Sequence, residues 1–414
     1  MARSLVGLSA LCSAPLHLVL LSALLHISAA WSTVHGLTTL PRHRAAAPTL
    51  SAAWGGELAS EASAAVKAVQ KAMQLCDALA CEMAVVESEA GGKTMDACDT
   101  TAGVSFIKEG DSTPVTAADF AIQGVISRRL KDAFPNDRFM GEEDASDLRE
   151  DAGLRALALR LCSSFDGDAD EGSFLEAIDR GMEPNRGEGE RVWILDPIDG
   201  TKGFMTGQGY VIGLALVDAS GVPLIGVMGK PTEEESPPIM AAVKGHGLRW
   251  WNAVGEATVA YDPPAPEWVD AALPPWFVSP HASFGACAPF GPTHPPEFLC
   301  CGAMVKYFAT AAGRACGFVQ YEEELKSWDH ACGVICVAES GGEATDAAGD
   351  AILFADRIFH VAGGIVCASR FATDEVKAKL LQAADACEVP EEEEEDAIAE
   401  VGSDGSYAPA QAIY

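Results

Sequence analysis

The chain has 414 residues, 49% of them hydrophobic and 21% charged, and a formal net charge of −32. That is enough apolar sequence to bury a large core in one large or two modest domains, in the proportions of an ordered globular protein. With 28 Lys and Arg against 60 Asp and Glu, it lacks the clustered basic residues that hold a phosphate backbone, so nucleic acid polymers are excluded as partners.

The N-terminus reads as an address. Leu16 to Leu25 is an apolar run, Ile27-Ser28-Ala29-Ala30 carries the small residues of a signal-peptidase site, and no acidic residue precedes Glu57. The run is too short for a spanning helix, so no stable membrane association is expected of the mature chain. Trp31 to Ala53 is rich in Ser, Thr and Ala and carries Arg42 and Arg44. Residues 1–55 are therefore expected to be a signal plus transit presequence leading to a plastid, with the secretory-pathway lumen as the alternative.

From Glu57 to Val86, Ala, Val, Met and Leu recur at helical spacing, and Ile122, Ile126, Leu130 and Phe134 mark a second helix stopped by Pro135. Ser146 to Arg191 has Leu-rich helical patches separated by acidic, Gly-rich pieces and reads as a surface insertion. Strands are expected at Val192–Leu195, Tyr210–Val217, Val222–Met228 and Ile239–Val243, with turns at Asp218–Gly221 and Lys244–Gly247 folding the last three into hairpins. Pro-rich loops follow, and a last helix runs from His330 to Ser340 before Gly341-Gly342. The tail from Pro390, with Glu391 to Asp396, is a like-charge block expected to be disordered. The domain reading is 56–218 for an N-terminal α+β half, 219–388 for a C-terminal α/β half and 389–414 for the tail. Hairpins mixed with helices indicate stacked layers of helix and sheet.

Thirteen cysteines are scattered without a Cys-x-x-Cys pair, so neither a zinc ribbon nor a thioredoxin motif is present. Most read as small buried apolar residues. Cys300 with Cys301, and Cys332 with Cys336, are the pairs spaced for redox chemistry.

The chemistry centres on Asp196-Pro197-Ile198-Asp199-Gly200-Thr201, directly after an apolar strand. Pro197 fixes the backbone and Gly200 permits a tight turn, so both carboxylates can enter one cleft. Two close carboxylates are unfavourable unless a cation neutralises them or one takes a proton. Hard oxygen ligands suit Mg²⁺ shared with a substrate phosphate. Read singly, the other acids have plain explanations: Asp119 as part of a capping box with Thr116, Glu142 as a loop acid, Asp329 as a helix N-cap.

Asp119 before its helix, Gly141-Glu142-Glu143 after a short strand, the Asp196–Thr201 segment, and Trp328-Asp329 before a helix ending in Gly-Gly form an ordered set. The set resembles the inositol monophosphatase superfamily of Mg²⁺-dependent, lithium-sensitive phosphatases, from about Glu57 to Phe371. The nearest likeness is to the 3'(2'),5'-bisphosphate nucleotidases. It is carried by Asp111 to Asp119, Gly141 to Arg149, Ala177 to Gly181, Trp193 to Phe204 with its Lys202-Gly203-Phe204 ending, and Trp328 to Ala331.

The resemblance implies an α+β fold, a layered αβαβα sandwich of the inositol monophosphatase and fructose-1,6-bisphosphatase type. It implies one Mg²⁺ on Glu142, Asp196 and the carbonyl of Ile198, a second on Asp196, Asp199 and Asp329, and a weaker third near Asp119 and Glu142. Asp119 would orient or deprotonate the attacking water through Thr201, while amides at Gly200 and Thr201 cradle the phosphate. The expected partner is a small phosphorylated substrate, contacted by Lys306, His281 and Gln320. Two neighbours depart from the nucleotidase pattern: Ala303 stands where Ser is usual and Gln320 where Arg is usual, which removes a bidentate phosphate partner.

Overall fold

The computed structural model describes residues 54, 56–89, 106–108, 114–167, 169–182, 190–278, 288–291, 293–297, 299, 301–320 and 324–386. All lie in one compact unit, Ala47–Tyr414. The presequence apart from Trp54, Asp111 to Thr113, His281, Cys300 and the acidic tail fall outside the described residues. Among the described residues, no helix is long and apolar enough to cross a membrane.

Nine α-helices are described: α1 (Ala59–Glu89), α2 (Ala117–Ala133), α3 (Ser146–Glu150), α4 (Ala152–Asp166), α5 (Glu171–Asp179), α6 (Thr201–Met205), α7 (Met304–Ala311), α8 (Ser327–Glu339) and α9 (Asp374–Ala386). A seven-stranded sheet runs in the order β3 (Arg138–Gly141), β4 (Val192–Asp199), β5 (Val211–Val217), β6 (Pro223–Gly229), β7 (Ile239–Val243), β8 (Gly247–Trp251), β9 (Thr258–Val259). β3 and β4 are parallel, and every later pairing in this sheet is antiparallel. A four-stranded sheet has the order β10 (Trp276–Val278), β11 (Gly317–Gln320), β15 (Ile365–Ala368), β13 (Glu343–Asp346). Two short ladders complete the set: β1 (Phe106–Lys108) with β2 (Pro114–Thr116), and β12 (Leu325–Lys326) with β14 (Ile358–Phe359).

The layers follow from strand periodicity. On β4, Trp193 and Leu195 join the core that contains α1 and α2, whereas Val192 and Ile194 join the core that contains α7 and α8. Successive side chains of a strand point to opposite faces, so the seven-stranded sheet is buried on both. The second sheet packs on the far side of α7 and α8, and α9 covers it. The result is the αβαβα sandwich expected of the chain. The 218/219 boundary falls in the hairpin turn between β5 and β6, so the larger sheet takes strands from both sides of it.

The region 146–191 differs from its reading as a surface insertion. α4 and α5 pack on α2, and Leu154, Ala158, Cys162, Phe174 and Ile178 are fully buried. The Leu-rich patches are helical as expected, but their apolar faces turn inward rather than lying in a surface loop. Phe174 fits because Gly124 of α2 leaves room where a Cβ would collide with its ring. Each large apolar side chain so placed stabilises the fold by roughly 1.5–3 kcal/mol. Cys332 and Cys336 are also buried, with burial pushing both thiols up, so they are inert core residues rather than redox-sensitive ones.

One ion network ties the β6–β7 connection to the end of α7. Glu233, its side chain 1% exposed, receives Lys230 Nζ at 2.8 Å and Arg314 in a bidentate pair. Burial pushes its carboxyl up, but the Arg314 and Lys230 hydrogen bonds outweigh this and bring it down to about 2. A carboxyl depressed on folding contributes stability above its unfolded value, and loses it as pH falls through the folded one. Glu233→Gln is expected to lower stability at pH 7 by about 2 kcal/mol, discounted for the partial exposure of Arg314. In denaturant titrations the gap from wild type should close between pH ~4.5 and ~2.

Candidate active site

The site starts from a defect in β4. Asp196 pairs with Gly213 of β5 and Asp199 with Val211, so β4 carries one extra residue between them. Pro197 has no N–H to give to the ladder and sits at this bulge. In a regular strand residues three apart point to opposite faces; a bulge re-aims them. Here oxygens of Asp196 and Asp199 lie within 4.8 Å of each other and of an oxygen of Asp329, a group that could hold a metal ion.

Each carboxylate is delivered by a different element. Asp199 is fastened from the strap before α7: Ala303 N–H donates to Oδ1 at 2.9 Å and Met304 N–H to Oδ2 at 2.5 Å. Gly302 makes this approach possible, since its φ is +87° and a Cβ there would collide with the Asp199 carboxylate. Lys306, 3% exposed, donates to Gly302 O at 3.0 Å, closing the strap. Asp329 is in the first turn of α8 but is not its N-cap, a place Lys326 takes without a side-chain bond. The plain explanation of Asp329 therefore fails. Its carboxylate sits instead beside Asp196 and Asp199.

Glu142 follows the end of β3, half-buried, close enough for its charge to act on Asp196. Its loop is fixed by Gln123 of α2, whose amide donates to Glu143 O at 2.6 Å and accepts from Glu143 N–H at 3.1 Å. Asp119, 1% exposed, does form the capping box: Oδ2 accepts from Thr116 N–H at 2.9 Å and Thr116 Oγ1 at 2.6 Å. Gly200, left-handed at φ 91°, starts α6. Thr201 Oγ1 donates to Ile198 O at 3.1 Å. Gln320 is buried in β11, paired with Ile365 of β15. Gln123, the Ala303 and Met304 amides, and Arg357, which donates to Gly141 O and Glu142 O, were not identified in the sequence. Nothing local marks them, because each acts across a long chain separation.

The electrostatics are those of crowded acids. Burial pushes the Asp196 carboxyl well up, and the charges of Glu142, Asp199 and Asp329 push it further. Burial and Asp329 raise Asp199 to about 8 against the pull of its two amide bonds and Lys306. Asp196 Oδ1 is buried with no hydrogen-bond partner. Such an oxygen is costly in a protein interior and is what a hard cation would satisfy.

A model of the inositol monophosphatase family matches residues 57–388. The chain belongs to the inositol monophosphatase family. It is accordingly a phosphatase. A relative in Arabidopsis thaliana, described as a putative mitochondrial 3'(2'),5'-bisphosphate nucleotidase, is 32% identical over 63% of this chain and 75% of its own. The 3'(2'),5'-bisphosphate nucleotidase of Schizosaccharomyces pombe is 30% identical over 71% of this chain and 87% of its own. Among solved structures, CysQ from Bacteroides thetaiotaomicron, a bacterial member of the family, is 20% identical over 75% of this chain and 97% of its own, with a TM-score of 0.47. An inositol monophosphatase from Zymomonas mobilis is 16% identical over 80% of this chain and 99% of its own, with a TM-score of 0.48. Family membership rests on the match over 57–388, not on these two likenesses.

A carboxyl whose folded-state value is raised makes folding less favourable as pH climbs through its ordinary range. In EDTA at pH 7, Asp196→Asn is therefore expected to melt at least ~2 °C above wild type, about 1 kcal/mol for a chain of this size. Adding Mg²⁺ should raise the wild-type midpoint more than that of the variant. Equal responses in a melting titration would show that the cluster holds no cation.

Proposed function

We propose that this phosphatase removes the 3'-phosphate of adenosine 3',5'-bisphosphate, and of 3'-phosphoadenylyl sulfate, in a Mg²⁺-dependent reaction sensitive to lithium. The observation that carries the metal dependence is the group of Asp196, Asp199 and Asp329 with its unsatisfied buried oxygen. Those residues fit a hard divalent cation in both donor type and charge. Glu142, Asp196 and Ile198 O would hold one Mg²⁺ and Asp196, Asp199 and Asp329 a second, with a weaker third near Asp119 and Glu142. When bound, such cations lower the pKa of a coordinated water and stabilise entering and leaving oxygens of the phosphoryl group.

The protein's own groups do the rest. Asp119 takes or orients the proton of the attacking water through Thr201, and the amides of Gly200 and Thr201 face the phosphate oxygens. Lys306, beside Asp199, supplies a fixed positive charge in a strongly acidic chain. In-line attack by water leaves no covalent phosphoenzyme.

The choice of a nucleoside bisphosphate rests on the nucleotidase relatives and on Lys202-Gly203-Phe204. Part of that tripeptide has a packing explanation. A Cβ at Gly203 would collide with Gly209 O, and Phe204 packs edge-on to Tyr210 at 5.2 Å, which leaves Lys202 exposed. Lys202 is thus the part of the motif free to meet a second phosphate. Gln320, buried in β11 beside Ile365 of β15, stays a candidate substrate contact in this reading.

Phosphate release by the full chain is expected from adenosine 3',5'-bisphosphate with Mg²⁺, suppressed by Li⁺, and reduced more than ~100-fold by Asp196→Asn, beyond the loss of a mere outer-shell partner. Faster turnover of inositol 1-phosphate or inositol 1,4-bisphosphate would make the protein an inositol phosphatase instead. For localisation we retain plastid delivery, tested by the compartment in which a fluorescent fusion to residues 1–56 accumulates; mitochondrial or secretory fluorescence would overturn it.

A further inference from the structure

Arg357 lies just before β14, far in sequence from every acid of the site, yet it touches three of the segments that build it. Its guanidinium donates through Nη1 to Gly141 O at 2.7 Å and Gly181 O at 2.9 Å, and through Nη2 to Glu142 O at 3.1 Å. The same group stacks on the ring of Trp328, with its carbon 4.4 Å from the ring centroid. Its own carbonyl accepts from Ser327 N–H at 2.8 Å, and the carbonyl of Asp356 accepts from Ser327 Oγ at 2.5 Å. The next residue, Ile358, pairs with Lys326. One residue thus grips the end of β3 that presents Glu142, and the start of α8 that presents Asp329.

This grip matters because it joins those two ends directly, through bonds to the backbone at Gly141 and Glu142 and contacts at Ser327 and Trp328. Asp196 and Asp199 are set by their own strand, and Asp199 by the Gly302–Met304 strap. Glu142 and Asp329 come from opposite sides of the site, from the parallel edge strand and from the helix layer. Only a planar fork of donors can serve three carbonyls while its face lies on an indole; an ammonium cannot do both. Burial lowers the Arg357 guanidinium from its ordinary value, and the carboxylates of Glu142, Asp144 and Glu143 offset part of that.

We propose that Arg357 is a positioning residue of the metal site, a clamp that fixes Glu142, which would hold one cation, relative to Asp329, which would hold the other. It touches no reacting atom. Its effect passes through the Glu142 backbone on one side and Trp328 on the other. The clamp rests on the metal reading given above, so its test must separate the two.

The experiment measures Mn²⁺ uptake by the full chain from the electron paramagnetic resonance signal of free Mn²⁺, for wild type, D196N, R357K and R191K. Arg191 serves as the control because it is a structural arginine elsewhere, donating to Asp137 and Glu61. R357K is expected to weaken Mn²⁺ binding roughly 10–100-fold, the range seen when a partner of a metal ligand is lost. R191K should lower the melting temperature and leave Mn²⁺ affinity unchanged. In turnover assays R357K should need correspondingly more Mg²⁺, with kcat returning to within a fewfold of wild type at saturation.

Mn²⁺ affinity of R357K within twofold of wild type overturns the clamp while leaving the metal reading intact, provided that D196N has lost binding. Absence of Mn²⁺ uptake by the wild type overturns the metal reading and the clamp with it. Should R357K fail to fold, hydrogen exchange on the wild type decides. Mn²⁺ is expected to slow exchange in 355–359 together with 139–142 and 327–331; protection of the last two without 355–359 contradicts the proposal.

Discussion

Three carboxylates whose oxygens lie within 4.8 Å of one another, two of them buried, set the terms for this protein. Like charges in a poorly hydrated place repel strongly, and the raised carboxyls of Asp196 and Asp199 record that cost. A fold keeps such an arrangement when the rest of the structure holds it in place and a ligand makes use of it. The supports here are separate and mutually reinforcing. The bulge at Pro197 turns two acids of one strand together, the Ala303 and Met304 amides fasten Asp199, and Lys306 brings a compensating charge. Between two buried sheets the helix layer of α7 and α8 is confined, so Asp329 has little freedom to withdraw.

The site is therefore a property of the layered architecture as much as of its acids. The ends of parallel β3 and β4 lie side by side, with Gly141 opposite Leu195, and this brings Glu142 toward Asp196. Gln123 of α2 fixes the following loop from the outer helix layer, while Arg357 reaches the same loop from beside α8. Both supports bind backbone groups, so they set where the chain runs. Burying the many backbone polar groups around such a loop requires that each find a partner, and these two side chains supply several.

Much of this was legible in the sequence because it is local. The apolar run of β4 and its Asp-Pro-Ile-Asp-Gly-Thr ending are contiguous, and Ile239–Val243 follows from composition and turn residues alone. Resemblance to a known family linked Asp119, Glu142, Asp196 and Asp329, which no spacing rule could connect. What was missed is non-local: the Arg357–Gly141 bond spans 216 residues and the Gln123–Glu143 bond passes between layers. Two local readings were also wrong for physical reasons. Acidic, Gly-rich links made the helical patches of α4 and α5 look like part of a surface insertion, although their apolar faces bury Phe174 and Leu154. Asp329 looked like an N-cap, but α8 begins two residues earlier, at Ser327.

Substrate choice depends on parts of the molecule with a lighter imprint. Gly203 and Phe204 are accounted for by packing, and Lys202 is the exposed remainder. The carboxylate cluster carries the central claim, that buried acids are held together in order to hold cations. The most direct measurement is an anomalous-difference map from crystals of the protein grown with Mn²⁺. Peaks are expected between Asp196, Asp199 and Asp329 and between Glu142 and Asp196. A map from active protein with no peak among these carboxylates would contradict the account.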